Sequence, residues 1–182
     1  MKTGLKAFNF FLALAVGAWL SGCETTKEHS SKKELSNIRI HVEADSGTAD
    51  RASGVSVHRA SPISLNVERE PVLDEHNVVA ATIVDQPGGL FSIQLQFDRQ
   101  GSWLLERTTV VHRGKHLVIF SYFGDSRWIA APIITGKNST GQLTFTPDAT
   151  HEEAERLVRG LNNVAEKLKS RENWPFRDSL DK

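Results

Sequence analysis

Phe91-Ser92-Ile93-Gln94-Leu95-Gln96-Phe97-Asp98 is the stretch on which the predicted fold depends. Its apolar and polar residues alternate, which is the two-residue period of a strand with one buried face and one exposed face. The turn signal Pro87-Gly88-Gly89 precedes it and predicts a hairpin with an apolar strand at 79–84. Asp98 is a typical helix N-cap, so we expect the strand to lead directly into a helix that runs to about Val111.

Further elements follow this strand–helix unit. Leu117 to Tyr122 is a compact apolar run and predicts a buried strand, and Arg127 to Thr135 predicts a returning strand. Pro132 places that second strand at a sheet edge or at a bulge. A short strand at 142–146 and a final helix come next. Thr150 and Glu153 form a capping box for this helix, whose apolar stripe includes the residues Ala154, Leu157, Val158, Leu161, Ala165 and Leu168.

This order predicts an α+β domain at 37–170, in which an antiparallel sheet is covered by two helices around a ferredoxin-like βαββ…α core. Upstream of it, Ile38, Ile40 and Val42 alternate with polar residues and predict a half-buried strand, with His41 facing solvent. Trp103 and Leu104 are the expected core residues of the first helix. Residues 171–182 form a tail that is polar apart from Trp174-Pro175-Phe176.

The N-terminus has the features of a secretory signal. Lys2 and Lys6 precede an apolar segment, Ala7 to Leu20, and Leu20-Ser21-Gly22-Cys23 closes it. This ending resembles the lipobox of bacterial lipoproteins, which implies that residues 1–22 are a signal peptide and that Cys23 is acylated and held in the lipid bilayer. A buried free thiol is the alternative for Cys23. Residues 23–36 then form the lipidated cysteine and a flexible tether.

The lipoprotein resemblance also implies a location. The domain would lie outside the cytoplasm, lipid-anchored in the bacterial cell envelope. Glu24 follows the cysteine, where an aspartate would favour retention in the inner membrane of a Gram-negative cell. The resemblance therefore favours the outer membrane over the inner one if the cell is Gram-negative.

Composition and motifs argue against several functions. Of the 182 residues, 22 are basic and 22 acidic, and loss of Lys2 and Lys6 with the signal leaves 20 basic residues and a net charge of −2. Nucleic acid is therefore not an expected partner. We find no nucleophile elbow, phosphate-binding loop or zinc-protease motif, and Gly114 separates His112 from His116. We expect no catalytic residues, no metal and no cofactor, although a hydrolase with a scattered active site stays open as an alternative.

Several stretches in the same order resemble the periplasmic P1 head region of SecD, the protein-export membrane protein. They are Glu70-Pro71-Val72-Leu73, Val78 to Val84, Ile93 to Gly101, Gly114 to Ile119, Ala131-Pro132-Ile133-Ile134 and Phe145 to Ala154. The chain departs from that family at the turn Gly124-Asp125-Ser126-Arg127, where SecD usually has Asp-Gly. The resemblance implies a non-catalytic periplasmic binding module that contacts exported polypeptides or Sec and other envelope proteins.

Four residues near the returning strand are the candidate binding residues, and they are Tyr122, Phe123, Arg127 and Trp128. We expect them to receive an exported chain by strand addition at the edge strand Arg127 to Thr135. Packing in the core or in a turn is the alternative for the aromatic side chains. The alternative for the whole protein is a structural envelope lipoprotein that docks on a membrane-protein partner.

Overall fold

The computed structural model describes residues 34–45, 47 and 51–172, and they fold into an α+β arrangement. The predicted signal peptide, Cys23, most of the tether and Trp174-Pro175-Phe176 lie outside the described residues. The strands are β1 Asn37–Val42, β2 Ala52–Val57, β3 Ile63–Glu68, β4 Leu73–Asp74, β5 Val78–Gln86, β6 Leu90–Phe97, β7 Leu117–Tyr122, β8 Ser126–Ala130 and β9 Gln142–Phe145. The helices are α1 Arg99–Val111 and α2 His151–Glu172, and two short 3-10 turns lie at Glu75–Asn77 and Pro87–Gly89.

The predicted α+β class, with antiparallel pairing and two helices, is confirmed. The strands are divided among three sheets, with the orders β4-β1-β7-β8, β2-β3 and β5-β6-β9. The ferredoxin-like prediction assumed one sheet, but β6 pairs with β5 and β9 whereas β7 pairs with β1 and β8. The β1–β7 pairing joins Asn37 to Tyr122 and Val42 to Leu117. Contacts between such distant segments have no local sequence signal.

The main core lies between the larger sheets and the helices. Its fully buried side chains include Ile38, Ile40, Ile93, Leu95, Leu105, Ile119, Leu157 and Leu161. The start of α2 has the predicted capping box: the backbone N–H of Glu153 donates to Thr150 Oγ1 at 3.2 Å, and the N–H of Thr150 donates to Glu153 Oε2 at 2.8 Å. Among the described residues, neither helix is both long and apolar enough to cross a membrane.

The buried face of α1 differs from the predicted one. Asp98 caps the helix as expected, with its side chain accepting from the Gly101 N–H at 2.6 Å. Trp103, however, is 58% exposed and Leu104 is half-buried. The helix instead buries Gly101, Leu105, Thr108 and Thr109. Gly101 allows this close approach, because a Cβ there would lie 2.8 Å from Asn77 Cβ.

His41 also differs from its prediction, since it is buried at 7% exposure. The prediction placed it in solvent because it alternates with core residues along β1. In the structure the β2–β3 hairpin covers this second face of the sheet as well, and His41 Nδ1 is 2.8 Å from the carbonyl oxygen of Glu68. β8 is shorter than predicted: regular pairing ends at Ala130, and a single bridge from Ile133 to His116 continues it beyond Pro132.

Candidate functional site

An aromatic surface covers the face of the β1–β7–β8 sheet that points away from the main core. Cross-strand partners share a face, and the register places Arg39 opposite Phe120 and Phe120 opposite Trp128. One row further along, Tyr122 lies between Asn37 and Ser126. We call the aromatic side chains on this side the outer aromatic face, and they are His41, Phe120, Tyr122 and Trp128.

Trp128 is the centre of the outer aromatic face. Its ring meets the Phe120 ring at a centroid distance of 5.3 Å with planes at 66°, and the His41 ring at 5.2 Å with planes at 67°. Each such edge-to-face pair contributes about 0.5–1.5 kcal/mol beyond the area it buries. These contacts hold the rings in fixed positions, which lowers the entropy cost of binding a partner.

The β2–β3 hairpin covers one end of the outer aromatic face and leaves the other end open. Val57 and Val67 of the hairpin pack with Val118 in a second small core, and Trp128 packs against it. Tyr122, at the other end, is 50% exposed. The apolar contact surface is therefore covered by the hairpin at its Val118 end and accessible at its Tyr122 end.

The charge state of His41 suits an apolar surface. Burial lowers the pKa of His41, and the positive charge of Arg39 lowers it further, against the opposing effect of the hydrogen bond to Glu68. The neutral ring donates its Nδ1 proton to the Glu68 carbonyl oxygen. At neutral pH this part of the outer aromatic face therefore carries no charge of its own.

The four candidate residues from the sequence lie on two different sides of the sheet. Tyr122 and Trp128 belong to the outer aromatic face, whereas Phe123 is only 3% exposed and packs in the main core. Arg127 is paired with Ser121 and points to the core side. Sequence reasoning missed Phe120 and His41, because the continuous apolar run Leu117 to Tyr122 hides which residues share a face.

Arg127 links the β7–β8 turn to α2. Its guanidinium bonds Asp125 at 2.6 Å and Glu153 at 2.9 Å, and its carbon lies 5.0 Å from the Phe123 ring centroid. Although burial opposes the effect, the bonds to Glu153 and Asp125 raise the pKa of Arg127. At Glu153, burial acts to raise the pKa. The hydrogen bonds from the Thr150 N–H and from Arg127 outweigh burial, so the pKa of Glu153 is lowered. Arg127 is thus held in a structural ion cluster.

The outer edge of β8 is partly occupied. The backbone N–H of Asp148 donates to the carbonyl oxygen of Ile129 at 2.7 Å, and Arg127 donates to the carbonyl oxygen of Asp148 at 3.2 Å. An added strand could pair only with the part of β8 that precedes Ile129. The predicted mode of binding at this edge is therefore restricted to a very short segment.

The histidines near this region do not form a metal site. His116 Nδ1 lies 2.6 Å from Glu43 Oε2 and forms a pair with it. Within residues 34–45, 47 and 51–172, no group of three or more His, Cys, Asp or Glu side chains could hold a metal ion. The chemistry available at the outer aromatic face is apolar and aromatic contact, with Arg39 as a neighbouring cation.

Comparison with known proteins identifies relatives of this domain. The model of the SecDF P1 head subdomain family matches residues 52–165, which is more than half of the chain. A solved structure of SecDF, a membrane component that enhances protein export, is 16% identical with a TM-score of 0.55, and the match covers 79% of this chain and 70% of that one.

A second solved structure, SecDF in its Super-membrane-facing form, is 17% identical with a TM-score of 0.56. That match covers 79% of this chain but 21% of the other, so this chain corresponds to about a fifth of that protein. At these identities the structural likeness establishes the fold alone. No curated protein sequence matches the chain.

Proposed function

This chain belongs to the SecDF P1 head subdomain family, and we propose that it is a non-catalytic binding module that contacts exported polypeptides in the bacterial cell envelope. In this proposal Cys23 carries the lipid that anchors it, and the domain lies outside the cytoplasm. The membrane would be the outer one in a Gram-negative cell, since Glu24 stands at the position where an aspartate would signal retention in the inner membrane.

The outer aromatic face is the observation that carries the proposal. An unfolded chain in transit exposes apolar side chains in no fixed order, so a surface that receives it must recognise apolar groups without a specific sequence. Tyr122, Phe120 and Trp128 present ring faces and edges of this kind, on a sheet rather than on a loop. Large aromatic side chains dominate the energetics of binding surfaces.

The attachment of the chain before β1 supports a position near a membrane. Glu34 binds Arg156 at 3.2 Å and Arg159 at 2.9 Å on α2, and Asn163 donates to its carbonyl oxygen at 2.8 Å. The stretch between Cys23 and Glu34 would reach at most about 40 Å when fully extended. A lipid on Cys23 would therefore keep the domain close to the bilayer surface.

A photo-crosslinking amino acid at Tyr122, in the full-length anchored protein in cells, tests this function. Tyr122 is a better position for the probe than Arg127, whose replacement would break the ion cluster. We expect crosslinks to many exported chains, which decrease when secretion is blocked. The same probe at Val111, which is 65% exposed at the end of α1, is the matched control and should give few crosslinks.

Two other outcomes would overturn the proposal. One discrete crosslinked protein, unaffected by blocked secretion, would instead identify a structural lipoprotein docked on a membrane-protein partner. Equal crosslinking at Tyr122 and Val111 would show that the outer aromatic face has no special role.

A further inference from the structure

The edges of the sheets differ in how well they are protected. The outer edge of β5 is closed at Ala81 by Asn162 of α2, whose side-chain amide accepts from the Ala81 N–H at 2.8 Å and donates to the Ala81 carbonyl oxygen at 3.0 Å. The outer edge of β8 is closed at Ile129 by Asp148. Such hydrogen bonds block pairing with another chain at the residues that they occupy.

The outer edge of β9 is open at Thr144. The Phe97 N–H donates to the Gly141 carbonyl oxygen at 2.9 Å, and the register pairs Leu95 with Leu143. Hydrogen-bonded and non-bonded pairs alternate in an antiparallel ladder. Because Phe97 and Gly141 form a bonded pair, Leu95 and Leu143, two residues further along, also form one, and Leu143 bonds to β6. The backbone groups of the residues on either side of it, Gln142 and Thr144, therefore point away from β6.

Among the described residues, the hydrogen bonds at this edge lie at Gln142. The Gln142 N–H donates to Thr140 Oγ1 at 3.2 Å, and its carbonyl oxygen accepts from Asn138 Nδ2 at 2.7 Å. In the part of the chain that the structure describes, no hydrogen bond reaches the outward N–H or carbonyl oxygen of Thr144. The residues whose backbone groups point away from β6 have exposed and uncharged side chains, and they are Gln142, Thr144 and Thr146.

We propose that the β9 edge at Thr144 binds an extended polypeptide segment by strand addition. This inference rests on the proposed function, and it adds a site where the backbone of an exported chain would pair. Backbone pairing does not depend on sequence, which suits a varied set of chains. β9 has no proline or lysine to block an added strand. Pairing with an added strand is limited to about three residues, because Asn138 closes the Gln142 end of this edge and Pro147 follows the other end. Binding is therefore weak and reversible.

A second copy of this chain fits the edge less well than a free extended segment. In a two-fold antiparallel pair centred on Thr144, Gln142 of each strand would lie opposite Thr146 of the other. Each copy would then bring its own Asn138 side chain, bonded at Gln142, into the space of the partner strand. A flexible segment can end before that obstruction.

The test compares Thr144→Pro with Thr144→Val in the full-length protein. Both variants lose the hydroxyl, but only the proline variant loses the Thr144 N–H that points away from β6. In both variants the β9–β6 ladder keeps all its N–H donors. The probe is a short peptide of alternating threonine and valine, titrated by NMR. We expect it to slow hydrogen exchange of the Thr144 amide in the unmodified protein and to bind the proline variant about tenfold more weakly than the valine variant.

An N-methylated version of the same peptide, which cannot complete a ladder, provides a second measurement if Thr144→Pro fails to fold. It should leave the exchange of the Thr144 amide unchanged. Equal binding of both peptides, or of both variants, would overturn the inference. Protection of Thr144 that grows with protein concentration in the absence of peptide would overturn it in favour of self-association.

The failure of this inference can be told apart from failure of the proposed function. If the peptide neither protects the Thr144 amide nor distinguishes the two Thr144 variants, but the crosslinks at Tyr122 are retained, the β9 site is wrong and the proposed function stands. Thr144 protection without enriched crosslinks at Tyr122 would remove the outer aromatic face as the contact surface.

Discussion

Gly160 of α2 packs directly against Ser36, so that a Cβ at Gly160 would lie 2.7 Å from the Ser36 backbone nitrogen. Alanine for glycine inside a helix ordinarily stabilises by about 1 kcal/mol. Here we expect Gly160→Ala to destabilise the domain by about 1–3 kcal/mol, because backbone must move to admit the methyl group. Urea denaturation measures the change. Gly136→Ala is the control, since no atom lies within 4 Å of a Cβ there; equal effects of the two substitutions would contradict the prediction.

Asn162→Ala should expose the β5 edge at Ala81. The lost amide leaves a backbone donor and acceptor without partners, and we expect a loss of about 1–3 kcal/mol in the free energy of unfolding, together with faster aggregation. Chemical denaturation and light scattering measure the two effects. Glu166→Ala, at an exposed position of the same helix, should change neither. If Asn162→Ala behaves like that control, the amide does not protect the edge.

Arg127→Ala tests whether Arg127 has a structural role. We expect it to lower the free energy of unfolding by about 2–3 kcal/mol, because it removes charged hydrogen bonds to Asp125 and Glu153 at a side chain that is only 14% exposed. Arg59 also binds Glu153, at 3.6 Å, but its side chain is 55% exposed. Arg59→Ala should therefore cost less than 1 kcal/mol. Similar losses in the two variants, measured by urea denaturation, would refute the role given to Arg127.

The lowered pKa of His41 predicts a loss of stability in acid. Burial, the largest cause, depresses the folded-state pKa below its ordinary value of 6.5. The contribution of neutral His41 is therefore fully present above about pH 6.5 and is lost as the pH falls through the lowered folded-state pKa. Between pH 7 and pH 5, the unmodified protein should lose more unfolding free energy than His41→Phe. Parallel stability curves for the two proteins would show that His41 does not titrate as expected.

Cys23→Ser should release the protein from membranes. A diacyl anchor buries many methylene groups at about 0.8 kcal/mol each, whereas serine cannot form the thioether. We expect the variant to move from the membrane fraction to the soluble fraction and to lose incorporation of labelled palmitate. Thr26→Ala, in the predicted tether, should retain both. A membrane-bound, unlabelled Cys23→Ser protein would require another means of attachment.

Local patterns in the sequence were sufficient for the elements whose signals lie within a few residues. The alternation Phe91 to Phe97, the Asp98 cap and the Thr150–Glu153 capping box each predicted an element that the structure contains. Each signal depends on hydrogen bonds or side-chain spacing between near neighbours, so the sequence alone determines it. The α+β class follows from the order of these elements.

Tertiary structure decided the sides on which side chains lie. His41 is buried because a distant hairpin covers the second face of its strand, and Trp103 is exposed because Gly101 brings the opposite side of α1 against Asn77. Arg127 became a structural residue when α2 brought Glu153 to it. In each case the deciding contact joins segments that are far apart in the chain or on different elements. Hydrophobic packing is non-directional, so only the folded arrangement determines which of several apolar faces is buried.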